Sequence, residues 1–225
     1  MPLILKQTKR GKEQMSINII HNPITSTALL KLRDKKSHSK LFREGLLLLS
    51  EIIAYEAGKK LKTKKVKVKS VLEDTVQESI ADDIALIPIL RAGLGMTTGF
   101  LKVYENAIIA PLGMSRDQET LLPSMYYSNI PENINKCHCF ILDPMLATGG
   151  SACFAINYLI EQKKVTAEKI SLCSITSSPE GLKKIESEYP QVDIYTISKD
   201  RELNKSGYIL PGLGDAGDRI FNTIM

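Results

Sequence analysis

The sequence contains no tryptophan and only 6% aromatic residues, so its core must be aliphatic. Four cysteines in 225 residues, with no CxxC pair, exclude a disulfide framework and argue against a structural zinc site. Cys137 and Cys139 flank His138, and the plain reading is buried, reduced thiols in a cytoplasmic protein. No apolar run is long enough to cross a bilayer: Leu46–Leu49 is followed at once by Ser50 and Glu51. The opening MPLILKQTKRGK holds too short an apolar run for a signal peptide, so no membrane partner is expected. What remains is 43% hydrophobic and 24% charged, ordinary values for a globular chain. Residues 1–20 read as a polar N-terminal tail and 21–225 as a single domain.

Charge is placed unevenly. Residues 1–70 hold 17 Lys and Arg against 5 Asp and Glu, a balance of +12, and the remainder carries −7. The densest run is Lys59, Lys60, Lys62, Lys64, Lys65, Lys67 and Lys69, whose second half alternates with Val66 and Val68 as a strand with one charged face would. A polyanion-binding strip is one reading of this run. An edge strand or hairpin arm whose lysines block unwanted pairing is the better one, because no aromatic side chains interleave to stack bases. Nucleic acid is therefore not an expected partner.

Apolar residues 41, 42, 46, 49 and 53 form a helical stripe within 41–61. Further on, residues 84–90, 107–112, 139–142, 170–175 and 192–197 read as strands, and 93–104, 150–162 and 179–188 as helices. Such alternation predicts an α/β fold: a largely parallel, twisted sheet with helices on both faces. Ligands of such sheets sit at the carboxyl ends of the strands.

The strongest local signal is CFILDPMLATGGSACFAINYLI. An apolar strand ends in Asp143, and Thr148-Gly149-Gly150-Ser151 opens an amphipathic helix. Glycines let the backbone approach a ligand, and successive N–H groups at a helix start bind anions. Thr148 and Ser151 add hydroxyl donors, while Asp143 is placed to accept hydrogen bonds from sugar hydroxyls. The spacing thus offers a carboxylate and a phosphate cradle to the two ends of one sugar phosphate. Taken alone, an ordinary capped strand-to-helix turn also fits. No Lys follows the glycines, which excludes a Walker A loop. Gly212-Leu213-Gly214-Asp215-Ala216-Gly217 satisfies GxGxxG, yet only eight residues follow it, too few for the helix, strand and ribose-binding acid of a dinucleotide fold.

The phosphate loop resembles the phosphoribosyl-diphosphate motif of the type I phosphoribosyltransferases, and its Asp143-Pro144 form with MLATGGS is similar to that of the uracil phosphoribosyltransferases. RDKKSHSKLFRE (33–44), PILRAGLGM (88–96), GMSRDQETLLP (113–123), SPEG (178–181) and GYILPGLGDAGDRIF (207–221) agree with it. The chain departs from the usual pattern at Asn22, which separates His21 from Pro23, and at Ser39, Ser115 and Leu122.

The resemblance implies a type I phosphoribosyltransferase-like fold with a C-terminal base-binding hood and the Lys-rich stretch as a β-arm. It implies transfer of a phosphoribosyl group from 5-phosphoribosyl 1-diphosphate to N1 of uracil, giving UMP, with Mg2+ arriving on the donor. Asp143, Pro144, Met145, Leu146, Ala147, Thr148, Gly149, Gly150 and Ser151 would hold the phosphoribosyl end, and Arg91 and Arg116 the diphosphate. Ile209, Gly214, Asp215 and Ala216 would form the uracil pocket, with Asp215 also near the donor. Arg116, Asp143 and Asp215 are the candidate catalytic residues. GTP as an effector and a homodimer or higher oligomer belong to the same implication. A phosphoribosyltransferase for another base, and a silent nucleotide-binding regulator, are the competing readings.

Overall fold

The computed structural model describes residues 16–116 and 123–223. In chain order these form β1 (Ile17–Ile19), α1 (Pro23–Arg33), α2 (Ser39–Gly58), β2 (Thr63–Lys69), β3 (Asp74–Ile80), β4 (Ile84–Leu90), α3 (Leu94–Val103), β5 (Ile108–Ile109), β6 (Leu112–Arg116) and β7 (Pro123–Ser128). They continue with β8 (His138–Leu142), β9 (Met145–Leu146), α4 (Gly150–Glu161), β10 (Ile170–Ser177), α5 (Pro179–Glu188), β11 (Asp193–Lys199), β12 (Glu202–Leu203), β13 (Ile209–Leu210) and α6 (Ala216–Phe221). The central sheet runs β1-β11-β10-β8-β4-β6-β7, parallel except for the β6–β7 hairpin, with β5 beside β4 and β9 beside β10.

Strands β4 and β10 are buried nearly end to end, as strands covered on both faces are; β4 is a continuous apolar run, whereas β10 interleaves Ser171, Ser174, Thr176 and Ser177 with apolar residues, Ser177 Oγ donating to Thr196 Oγ1 at 3.0 Å. One face packs on α4 and α5 through Ala152, Ile156, Leu159, Leu182 and Ile185. The other packs on α1, α2, α3 and α6 through Leu32, Phe42, Leu46, Met96 and Ile220. Helix α2 buries Phe42, Leu46, Leu49 and Ile53, the stripe expected from periodicity.

Three expectations are refined. The single strand read at 107–112 is two, β5 and β6, because Pro88 and Pro111 both lack the N–H that would carry the ladder on, and pairing resumes at Ile89↔Leu112. Residues 17–19, placed in the tail from sequence, add a parallel edge strand to β11, with Ser16 Oγ donating to Asp193 Oδ1 at 2.8 Å. Asn22 and Thr25 form a capping box ahead of Pro23, so the insertion between His21 and Pro23 starts α1. The Lys-rich stretch is one arm of the separate β2–β3 hairpin, with every β2 residue exposed. No described helix is long and apolar enough to cross a membrane.

Candidate active site

Adjacent central strands β4 and β8 send their following helices to opposite faces of the sheet, α3 to one and α4 to the other. A crevice opens at the carboxyl ends of strands whose connections part in this way. Arg91 follows β4 and Asp143 follows β8, so both stand at that crevice.

The loop after β8 is held from behind. Asp143 N donates to Cys173 O at 3.1 Å and Ser178 N to Leu146 O at 2.9 Å, which pins the loop to the next strand and its turn. Ser178 Oγ donates to Ala147 O at 2.6 Å while accepting Gly181 N–H at 2.8 Å, so the cap of α5 is also the brace of the phosphate loop. The SPEG segment thus has a supporting task that sequence reasoning did not assign. A Cβ on Gly181 would fall 2.4 Å from Ala147 O. Gly181→Ala is expected to cost about 1–3 kcal/mol of stability and to weaken binding of the sugar phosphate, measured by denaturant unfolding and by donor titration.

Gly149 takes φ +80°, a conformation glycine adopts without strain, and it opens α4 with no side-chain cap on the helix. The N–H groups of the first turn have no intrahelical acceptors and are available to an anion. Thr148 and Ser151 are exposed at the rim. Asp143, Met145, Leu146, Ala147, Thr148, Gly149, Gly150 and Ser151 line one cavity of about 190 Å³, together with Ser206 and Gly207. Pro144 is buried beneath them, its carbonyl accepting from Ile175 N at 3.0 Å. Desolvation pushes the Asp143 carboxyl up to about 7, opposed by one weak bond from Met145 N at 3.4 Å. A carboxylate so poor in partners is poised to accept hydroxyl donors from a ligand.

A second cavity, of about 380 Å³, is walled by Tyr208, Ile209, Leu210, Pro211, Gly212, Leu213 and Gly214. It shares Met145, Ala147, Ser206 and Gly207 with the first, so the two are adjacent. Ser206 was not singled out from sequence, and Gly207 and Tyr208 entered only as the start of the 207–221 motif. They belong to the β12–β13 turn, where Asn204 Oδ1 accepts both Ser206 N–H and Tyr208 N–H at 2.9 Å. Of the residues expected around a base, Ile209 and Gly214 line this cavity, whereas Asp215 caps α6 by accepting Asp218 N–H at 2.9 Å and Ala216 is buried beside it. A larger surface groove, about 640 Å³ between α1 and β11, holds none of the expected site residues.

Arg91 is 57% exposed and reaches Asp218 Oδ1 at 3.1 Å, which brings it to the C-terminal segment near Gly217. The N–H groups of Leu94, Gly95 and Met96 are spent on the carbonyls of Arg91, Ala92 and Gly93, so the guanidinium is the main group offered there. Arg116 ends β6, whose start pairs with the end of β4, so its hairpin rises beside Arg91. The Arg116 side chain and residues 117–122 lie outside the described residues. Two of the three histidines are placed for other tasks. His138 is half-buried against Ser171 Oγ at 3.0 Å, with desolvation lowering it to about 4, and His38 caps α2. All four cysteines are free and buried.

A family model described as uracil phosphoribosyltransferase matches residues 19–223. The uracil phosphoribosyltransferase of Wolinella succinogenes is 42% identical over 210 residues, covering 93% of this chain and 100% of that protein. That of Dictyoglomus thermophilum is 44% identical over 207 residues, covering 91% and 98%. The structure of the AQ2163 protein from Aquifex aeolicus matches with a TM-score of 0.84 at 34% identity, covering 92% of this chain and 98% of that one. Built on this sheet and matched over nearly its whole length, the chain belongs to the uracil phosphoribosyltransferase family.

Proposed function

We propose that this protein transfers the 5-phosphoribosyl group of 5-phosphoribosyl 1-diphosphate to N1 of uracil, giving UMP and diphosphate. The observation that carries the reading is the adjacency of the two cavities, an anion cradle and an apolar pocket that share Met145, Ala147, Ser206 and Gly207. A sugar phosphate seated on α4 would present its anomeric carbon to a base in the second cavity.

The 5-phosphate binds the first turn of α4 with the Thr148 and Ser151 hydroxyls, and Asp143 accepts hydrogen bonds from ribose hydroxyls. Arg91 leaves Asp218, an exposed pair worth little, for the diphosphate. Cleavage at the anomeric carbon builds oxocarbenium character, so stabilising the leaving diphosphate is the main catalytic task. Arg116, carried on the hairpin beside Arg91, supplies further positive charge there. Asp215 holds the start of α6 next to the base pocket. Mg2+ fits as a passenger of the donor: a hard cation that keeps waters and phosphate oxygens needs at most a carboxylate such as Asp143 from the protein. When bound, it neutralises diphosphate charge. Cytoplasmic location, a single domain that begins by β1, assembly as a homodimer or higher oligomer, and GTP as an effector complete the reading.

The direct test is conversion of labelled uracil to UMP with donor and Mg2+, with and without GTP, alongside sedimentation analysis of the oligomer. Diphosphate release with a different base only would point to another specificity, and no release with any base to a silent regulator. Arg116→Ala is expected to lower kcat about 10²-fold with little change in KM for uracil. An unchanged kcat in steady-state assays removes Arg116 from the leaving-group role.

A further inference from the structure

Two charged side chains that line neither cavity hold the turn that forms the base pocket. Asp200 follows β11, and its side chain is almost wholly buried. Its Oδ2 accepts Gly212 N–H at 2.8 Å. Its Oδ1 accepts Arg33 Nη2 at 2.5 Å and Ser198 Oγ at 2.6 Å. Arg33 stands in the last turn of α1. One residue along, Leu213 O accepts from Arg219 Nη1 at 2.8 Å. The same guanidinium donates to Leu32 O and, at 2.7 Å, to Asp34 O, and it lies 4.4 Å from the Phe42 ring centroid.

We propose that Asp200 and Arg219 are positioning residues for base recognition, hanging the 212–213 backbone from the C-terminal end of α1. This rests on the reading of the second cavity as the base pocket. Leu213 buries its side chain in the core and β13 pairs with β12, which fixes where the turn sits, but neither sets the direction of its 211–212 and 213–214 peptides. Gly212 has φ +60°, and a Cβ there would fall 2.2 Å from Ile209 O, so residues 209–212 form a tight turn without a side chain at its apex. Pro211 is exposed, and Gly212 and Gly214 bring no side chains to pack. Peptide groups in such a turn take their direction from hydrogen bonds, and here opposite charges capture the N–H of the 211–212 peptide and the C=O of the 213–214 peptide, on either side of the 212–213 peptide. Both charges are anchored at one place. Arg33 neutralises Asp200 from the last turn of α1, while the carbonyls of Leu32 and Asp34, at the negative end of that helix, receive Arg219. A buried ion pair is a poor source of stability compared with apolar packing of the same volume. Its place behind the pocket is explained by the orientation it imposes on the wall, since the peptides that would read a base edge adjoin the 211–212 peptide that it holds and the 213–214 peptide that Arg219 holds.

The experiment uses the full chain, with uracil and donor varied separately for wild type, Asp200→Asn, Arg219→Lys and Ser198→Ala, and with thermal midpoints recorded. Asp200→Asn keeps the shape but loses the charge that both Arg33 and Gly212 N–H face. The expected result is a rise of about tenfold in KM for uracil, with KM for the donor within about twofold of wild type, and faster amide hydrogen exchange at Gly212. Arg219→Lys moves in the same direction. Ser198→Ala, which removes only one donor to Asp200, gives a smaller rise and serves if the charge variants do not fold. Lys60→Met breaks the Lys60–Asp193 pair at the other end of β11 and is expected to change neither KM. Equal loss toward both substrates, or folded variants with unchanged KM for uracil, overturns the proposal. Failure of the wild-type chain to use uracil at all instead overturns the assignment of the pocket, and the exchange rate at Gly212 still reports whether Asp200 holds the turn.

Discussion

Cytosine is expected to be turned over about 10³-fold less efficiently than uracil, compared as kcat/KM with one donor. The wall from Tyr208 to Gly214 has no polar side chain but Tyr208, so the polar groups it can offer a base edge are chiefly peptide N–H and C=O groups of fixed direction. Uracil presents an N3–H donor beside an O4 acceptor, and cytosine reverses both. Each reversal leaves a buried peptide group facing a like partner, at a cost of about 1–3 kcal/mol. Two together come to about 4 kcal/mol, which is the factor stated. Side chains that rotate to suit either base would give a much smaller ratio. Rates for the two bases within about tenfold of each other would therefore remove the main-chain pocket from base choice.

The reach of sequence reasoning followed the physical range of each signal. The cores of β4, β8, β10 and β11, and all of α5, fall where apolar runs and helical stripes place them, because strands buried on both faces are legible from composition alone. The phosphate loop was legible for the same reason: its determinants lie within nine residues of one another, from Asp143 to Ser151. What escaped depends on partners distant in the chain. The brace from Ser178 and Gly181 to Ala147 links residues some thirty positions apart, and SPEG by itself announces only a helix cap. The grip of Asp200 and Arg219 on residues 212–213 needs the fold to bring α1 beside the C-terminal segment. The turn at 204–208 could have been found, since Asn followed by Ser-Gly between two short apolar pairs is turn chemistry. The placement of Asp215 differs in kind. Its motif was recognised, but its side chain is engaged as the cap of α6 and stands beside the base cavity, outside its lining.

Asp143→Asn is expected to make the protein more stable and a far worse catalyst, two effects of opposite sign from one substitution. Desolvation raises the folded-state pKa of Asp143 to about 7 from an ordinary 3.8. The folded chain therefore holds this proton where the unfolded chain has released it, and stability falls as pH rises between those values, with the full cost present above about 7. An amide of the same shape carries no such cost, so the gain from Asp143→Asn should be absent at pH 4 and evident at pH 8 in urea unfolding. Donor binding runs the other way. Ribose hydroxyls donate to the ionised carboxylate and pull its pKa down, so binding near pH 7 releases a proton, and donor affinity of the wild type climbs with pH up to about 7. Loss of two charge-assisted bonds in Asp143→Ala is expected to lower kcat/KM for the donor about 10³-fold. Asp143→Asn keeps an acceptor and loses less, but its donor affinity should no longer vary across pH 6–8. Calorimetry of donor binding in buffers of different ionisation enthalpy reads the proton directly. Stability and donor affinity that both stay at wild-type values in Asp143→Asn would mean that this carboxyl neither bears the burial cost nor touches the ribose.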